Sequence, residues 1–182
     1  MALDHEHDKD RSEELTSWMP PPRNYIKLNV DAAISQAFTS LAVVGRNESG
    51  EVLKVWTKIH DLCSPTQVEA TAIQWALKLA IDENWSNIVV EGDSKICLDA
   101  LSKAEEPSNW SISSITWDTA VLSVFFDNCK FCRVKRSLNS AAHSAAKYAV
   151  ALKASFLCTN YDLPPPILKA CRQDWATLCI SS

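Results

Sequence analysis

The sequence predicts an α/β domain with the element order βββαβααβα. Three observations carry that expectation. Apolar and polar residues alternate over 26–31, with two further strand-like runs in direct succession; residue 64 opens a helix with a complete start signal; and helical patterns then interleave with short apolar runs up to an alanine-rich helix near residue 150. The chain has 182 residues, 47% of them hydrophobic, which suits one good core in one domain with short extensions.

Residues 1–17 alternate charge with little apolar content, so burial cannot offset the entropy of ordering them, and a flexible tail is expected. Pro20, Pro21 and Pro22 stiffen the entry to the first strand, where Ile26, Leu28 and Val30 alternate with Lys27, Asn29 and Asp31. That is the period of a half-buried strand, with Asp31 on its polar face. Runs at 38–46 and 52–59 flank Asn47, Glu48, Ser49 and Gly50, a hairpin composition, so the three strands should form an antiparallel meander. Ser64, Pro65, Thr66 and Gln67 then supply an N-cap serine, a proline at the first helical position and a glutamine three residues after the cap. The helix should run to about residue 84. A short buried strand is expected at 87–91, helices at 94–103 and 111–126, the latter with Ile112, Ile115, Ala120 and Leu122 inside, a final strand at 129–134 and a helix at 139–154. Pro164, Pro165 and Pro166 break the chain, and 155–182 is expected as a C-terminal tail whose short amphipathic helix, 167–178, lies on the surface. No internal repeat is present.

Seven cysteines form no framework spacing, and the opening residues are charged where a signal peptide would be apolar, so the expectation is an intracellular protein with reduced thiols. No apolar run approaches the roughly 20 residues of a membrane-spanning helix, and no membrane partner is expected. The net charge of −4 argues against non-specific wrapping of nucleic acid, which needs many cations against phosphates; any such contact should be local and metal-assisted. Nothing in the sequence sets an oligomeric state, and a monomer is the default.

Winding the helix from Pro65 puts Gln67, Thr71, Gln74, Lys78 and Asp82 on a solvent side. The opposite arc carries Val68, Ala70, Ala72, Ile73, Ala76, Leu77, Leu79 and Ala80, with Glu69 near its centre. An ionised carboxylate there must gain a proton, pair with a cation or bind a metal. The bland alternative is a hydrogen-bonded glutamate at the core edge. Asp31 and Asp93 end strands, where side chains are rigidly placed yet reachable by a ligand, so the three acids make a metal site plausible. Asp93 can equally be a helix N-cap, and Asp31 a turn aspartate. Glu91 shares the strand face of Asp93, either as a fourth acid or as a sheet-edge charge.

The lead-in at 18–22, KLNVDAA (27–33), VGRNESG (44–50), SPTQVEATAIQWAL (64–77), IVVEGDS (88–94) and VKRSLNSAAHSAAKYA (134–149), in that order, resemble the type 1 ribonuclease H family. The closest likeness is to the plant ribonuclease H-like domains related to non-LTR retroelement reverse transcriptases, and it covers roughly 18–154. The resemblance implies a five-stranded mixed sheet, three antiparallel strands then two parallel, with helices on both faces. It also implies cleavage of the RNA strand of RNA–DNA hybrids, with Asp31, Glu69 and Asp93 as the first three members of an acidic set binding Mg2+ or Mn2+. Two such ions about 4 Å apart can activate a water and stabilise the leaving 3′-oxygen. Where many members place a fourth carboxylate this chain has His143, usual in the plant-type branch, which would assist water or product release. By helical winding His143 also borders the apolar face of Ala142, Ala146 and Ala149, as a core-edge histidine would. Ala32 stands where many relatives carry a glycine that lets nucleic acid approach closely. Thr66 and Gln67, at a helix start whose free N–H groups favour phosphate, together with Ser94 and Asn139, are the expected nucleic-acid contacts.

Cys129 and Cys132 have CxxC spacing, but one pair without a second is weak evidence for zinc, and strand parity turns the thiols to opposite faces. Arg133, Lys135 and Arg136 either meet phosphates or are a solvated strand end. Most of the seven tryptophans, Trp75 and Trp117 among them, are expected to pack rather than stack on bases. Two functions follow: an active hybrid endonuclease, or a domesticated, catalytically weak module that binds nucleic acid or a protein through the inherited surface.

Overall fold

The computed structural model describes residues 17–102 and 110–180, with side chains through residue 174; the charged tail, Ser17 apart, lies outside the described residues. The chain begins with β1 (Ile26–Ile34), β2 (Thr39–Arg46) and β3 (Val52–His60), an antiparallel meander, and continues into α1 (Pro65–Asp82). β4 (Asn87–Gly92), α2 (Lys95–Ser102), α3 (Ser113–Ser123, entered by a 3-10 turn at Trp110–Ile112), β5 (Asn128–Arg133) and α4 (Ser140–Leu152) follow. The mixed sheet runs β5-β4-β1-β2-β3, with β4 and β5 parallel to β1, as the resemblance implied.

It does not stop at five strands. β6 (Leu157–Cys158) pairs antiparallel with β3 through Val55↔Cys158 and Trp56↔Leu157, making a sixth. Two residues are too few to leave an alternating pattern in the sequence. The prolines read as a break instead open α5 (Pro165–Ile180), because the first helical turn has no use for the missing N–H. α5 packs on α4, and its Ile167, Ala170 and Cys171 join Ala42, Val44, Val55 and the alanines of α4 in a core on one face of the sheet. The other face carries α1, α2 and α3 around Leu28, Val30, Ile73, Leu77 and Leu98.

Covering both faces overturns the half-buried reading of β1. Lys27, Asn29 and Asp31 are buried as deeply as the apolar residues between them. Lys27 reaches Glu91 at 2.5 Å and the Met19 carbonyl at 2.6 Å, Asn29 donates to Glu91 at 3.0 Å, and the Trp18 indole donates to Asn29 at 3.1 Å. Glu91 is therefore a buried ion-pair partner in a central strand, neither a sheet-edge charge nor a member of the site. α1 differs for a similar reason. Gln67, Thr71 and Gln74 are half-buried because α3 lies along that side, with Gln67 donating to the Ser111 carbonyl. In α3 itself Thr116 and Thr119 face inward, and Ala120 and Trp117, expected inside, face out. No helix among the described residues is long and apolar enough to cross a membrane.

Candidate metal centre

The parallel register of β1 and β4 decides where two of the acids meet. Asn29 lies opposite Glu91, so Asp31 and Asp93, two residues further along each strand, leave neighbouring strands at the same level. The start of α1 brings the third. Ser64 accepts from the Gln67 N–H while the Gln67 side chain accepts from the Ser64 N–H, a complete capping box that fixes the first turn and so the azimuth of Glu69 in the second. Carboxylate oxygens of Asp31, Glu69 and Asp93 then lie within 4.8 Å of one another, and this is the sole cluster of at least three metal-ligating side chains among the described residues. The CxxC cysteines form no such cluster; burial pushes the Cys129 thiol up to about 12.

Each acid is held differently. Asp31, 1% exposed, accepts from the Ala32 N–H at 2.9 Å through one oxygen and meets His143 Nδ1 at 2.7 Å through the other. Asp93 accepts from Arg136 Nε at 2.8 Å, a contact made from solvent, since the Arg136 side chain is 66% exposed. Glu69 has no cation paired with it among the described residues. Burial first, then the charges of Asp31 and Asp93 and a hydrogen bond shared with Asp31, push its carboxyl up to about 9, with Arg136 opposing weakly. Burial also raises Asp31, against the Ala32 N–H and His143. Without a further cation the cluster carries a proton at neutral pH.

His143 comes from the first turn of α4, and Asn139 ties that turn to the sheet. Asn139 is 1% exposed, its amide donates to the Val30 carbonyl at 2.7 Å, and its carbonyl accepts from the His143 N–H. Its Oδ1 is buried without a partner. Thr66 is half-buried and its carbonyl accepts from Cys97 Sγ at 3.4 Å; Ser94 is half-buried beside Asp93 at the head of α2. Gln67 is engaged in the capping box and with Ser111. A cleft of about 430 Å³ beside the acids is lined by Ala32, Glu69, Arg136, His143 and Lys147, among others. Lys147 escaped the sequence reading, although its spacing four residues after His143 places it on the same side of the helix.

Residues 29–149 match the model of the family described as reverse transcriptase-like. No relative is found among curated protein sequences. Among solved structures, the chain is similar to a ribonuclease H1 from the halophilic archaeon Halobacterium salinarum, with a TM-score of 0.65 and 20% identity over 70% of this chain and 98% of that one. The N-terminal ribonuclease H domain of a Mycobacterium tuberculosis protein gives 0.62 and 15% over 71% and 99%. A ribonuclease H1 isolated from compost, in complex with an RNA/DNA hybrid, gives 0.63 and 16% over 70% and 98%. At these identities the likeness is one of fold.

Proposed function

The chain belongs to the reverse transcriptase-like family, as a ribonuclease H-like domain, and from that membership we propose that it is a divalent-metal-dependent endonuclease that hydrolyses the RNA strand of RNA–DNA hybrids. The observation that carries the reading is the convergence of Asp31, Glu69 and Asp93 within 4.8 Å around a glutamate with no cation paired with it among the described residues. The donor set fits Mg2+ or Mn2+, since it is all carboxylate oxygen and its spread matches what two ions about 4 Å apart can bridge.

Asp31, Glu69 and Asp93 would hold the ions, with Asp31 aimed by the Ala32 N–H and His143. Bound there, divalent ions supply activation of a water and stabilisation of the leaving 3′-oxygen. Glu69 releases its proton when the site fills. His143 lines the cleft beside Asp31 and can take up or return a proton there as product leaves. Arg136 and Lys147, on the rim of the same cleft, would meet the phosphates flanking the scissile bond, with Thr66 and Ser94 as further contacts. Gln67 and Asn139 act through others: one sets the start of α1, the other braces β1 against α4.

A module that binds hybrid without cutting it is the competing reading, favoured by the Arg136 cation already on Asp93. Incubating an end-labelled RNA–DNA hybrid with the protein and MgCl2 separates the two. The proposal requires cutting of the RNA strand by the wild type, none by Asp31→Asn, and none by the wild type in EDTA; equal signals from wild type and Asp31→Asn would reject it.

A further inference from the structure

α3 buries one side and leaves large apolar side chains exposed on the other. Its inner side, with Ile115, Thr116, Thr119 and Leu122, packs against α1 and α2. Wound at about 100° per residue, Ser114, Trp117 and Val121 share the outward side of α3, while Trp110 lies in the 3-10 turn before the helix and Val124 and Phe125 in the turn that ends it. The apolar side chains among them are open: Trp110 is 87% exposed, Trp117 72%, Val124 75%, Phe125 70% and Val121 49%.

We propose that a second copy of this chain covers the outer face of α3, forming an antiparallel, two-fold symmetric dimer through Trp117, Val121 and Phe125. This does not depend on the proposed activity. Area is the first argument. Full burial of an aromatic side chain covers about 150–250 Å², so three aromatics at these exposures with two valines offer roughly 600 Å² of apolar surface. That lies at or above the upper end of the roughly 300–600 Å² of the largest patch on a typical monomer and approaches the roughly 800 Å² that each partner contributes to a stable interface.

The second argument is symmetry. Trp117 and Phe125 stand four residues either side of Val121 in sequence, Phe125 in the turn that follows the αR C-cap Val124. An axis through Val121 therefore seats each Trp117 against the partner's Phe125 and brings the small valines together at the centre, the self-complementary arrangement that a two-fold interface requires. Charge is the third. Residues 110–127 contain Asp118 and Asp127 and no lysine or arginine, so the segment itself offers no cation to a nucleic-acid backbone.

Sedimentation equilibrium of the full chain from low to high micromolar concentration tests this. The expected result is a wild-type mass rising to twice 20.2 kDa, with Val121→Asp weakening self-association about 30-fold or more, the effect of losing one interface hot spot. Far-UV circular dichroism should be unchanged in Val121→Asp, and its melting should match that of the wild type at concentrations where the wild type is monomeric, because this half-exposed side chain is not part of the monomer core. Leu157→Asp, at an exposed position on β6, should dimerise as wild type does. A wild type that stays at 20.2 kDa throughout, or a Val121→Asp protein that associates as wild type does, would overturn the proposal. So would a monomeric wild type whose hybrid affinity falls on Trp117→Asp, which would give the face to nucleic acid instead.

Discussion

Replacing Glu69 by glutamine should stabilise the metal-free protein. In the folded chain the Glu69 carboxyl is pushed up to about 9 from an ordinary 4.5, because burial and the charges of Asp31 and Asp93 penalise its ionised form. The folded state therefore keeps a proton that the unfolded chain has lost once the pH exceeds 4.5. Stability must fall as pH rises from there, by about 1.4 kcal/mol per pH unit, and level off only near the folded value. At neutral pH the penalty reaches about 3 kcal/mol as an upper figure, and water entry and relaxation reduce it to roughly 1–3 kcal/mol. Glutamine keeps the volume and can still donate to Asp31, but does not titrate. Thermal unfolding in EDTA at pH 5, 7 and 9 should show Glu69→Gln and wild type close together at pH 5, with the variant melting higher at pH 7 by several degrees, at about 2–4 °C per kcal/mol for a chain of this size. Excess MnCl2 should raise the wild type and leave the variant almost unmoved. A variant no more stable than wild type at pH 7 in EDTA would refute the electrostatic account of the cluster.

Other consequences are direct. Asp174→Ala leaves the fully buried Arg46, 2.7 Å from Asp174 and stacked on Trp18, with no counter-charge, and should cost about 3–5 kcal/mol in urea unfolding. Ending the chain after Ala154 exposes the α4 alanines and Val55 and should give a protein that does not unfold cooperatively at 37 °C, a result that calorimetry can read. Asn139→Ala removes the brace on the Val30 carbonyl at a cost of about 1–3 kcal/mol, and should lower hybrid cleavage more than it lowers hybrid affinity. Arg136→Ala, by contrast, should change stability by no more than about 1 kcal/mol, because its ion pair with Asp93 is mostly exposed on the arginine side.

Much of this was legible in the residues. The meander, the capping box at Ser64 and the order of the remaining elements leave periodic or capping signatures, and they stand in the structure within a few residues of the expected ends. The oddity of Glu69 was legible too, since a carboxylate near the centre of an apolar arc needs a partner wherever the fold places it. Burial of Lys27 and Asn29 was not, because a polar alternation looks the same whether water or a second layer lies over it; only Trp18, Glu91 and α5 reveal the second layer. β6 was too short to leave a period, and Pro164 to Pro166 point equally to a break and to a helix start. The Arg136–Asp93 contact joins residues 43 apart in sequence and depends on β5 lying parallel to β4, which no local pattern encodes.

The most direct test of the central claim, that three converging carboxylates hold divalent cations, is calorimetric titration of MnCl2 into the folded protein at pH 7, in two buffers of different ionisation enthalpy. Wild type should take up Mn2+ with release of a proton from the cluster, seen as a heat that changes with the buffer, and Asp31→Asn should lose most of that uptake. Binding that is absent in the wild type, or that is the same in Asp31→Asn, would contradict it.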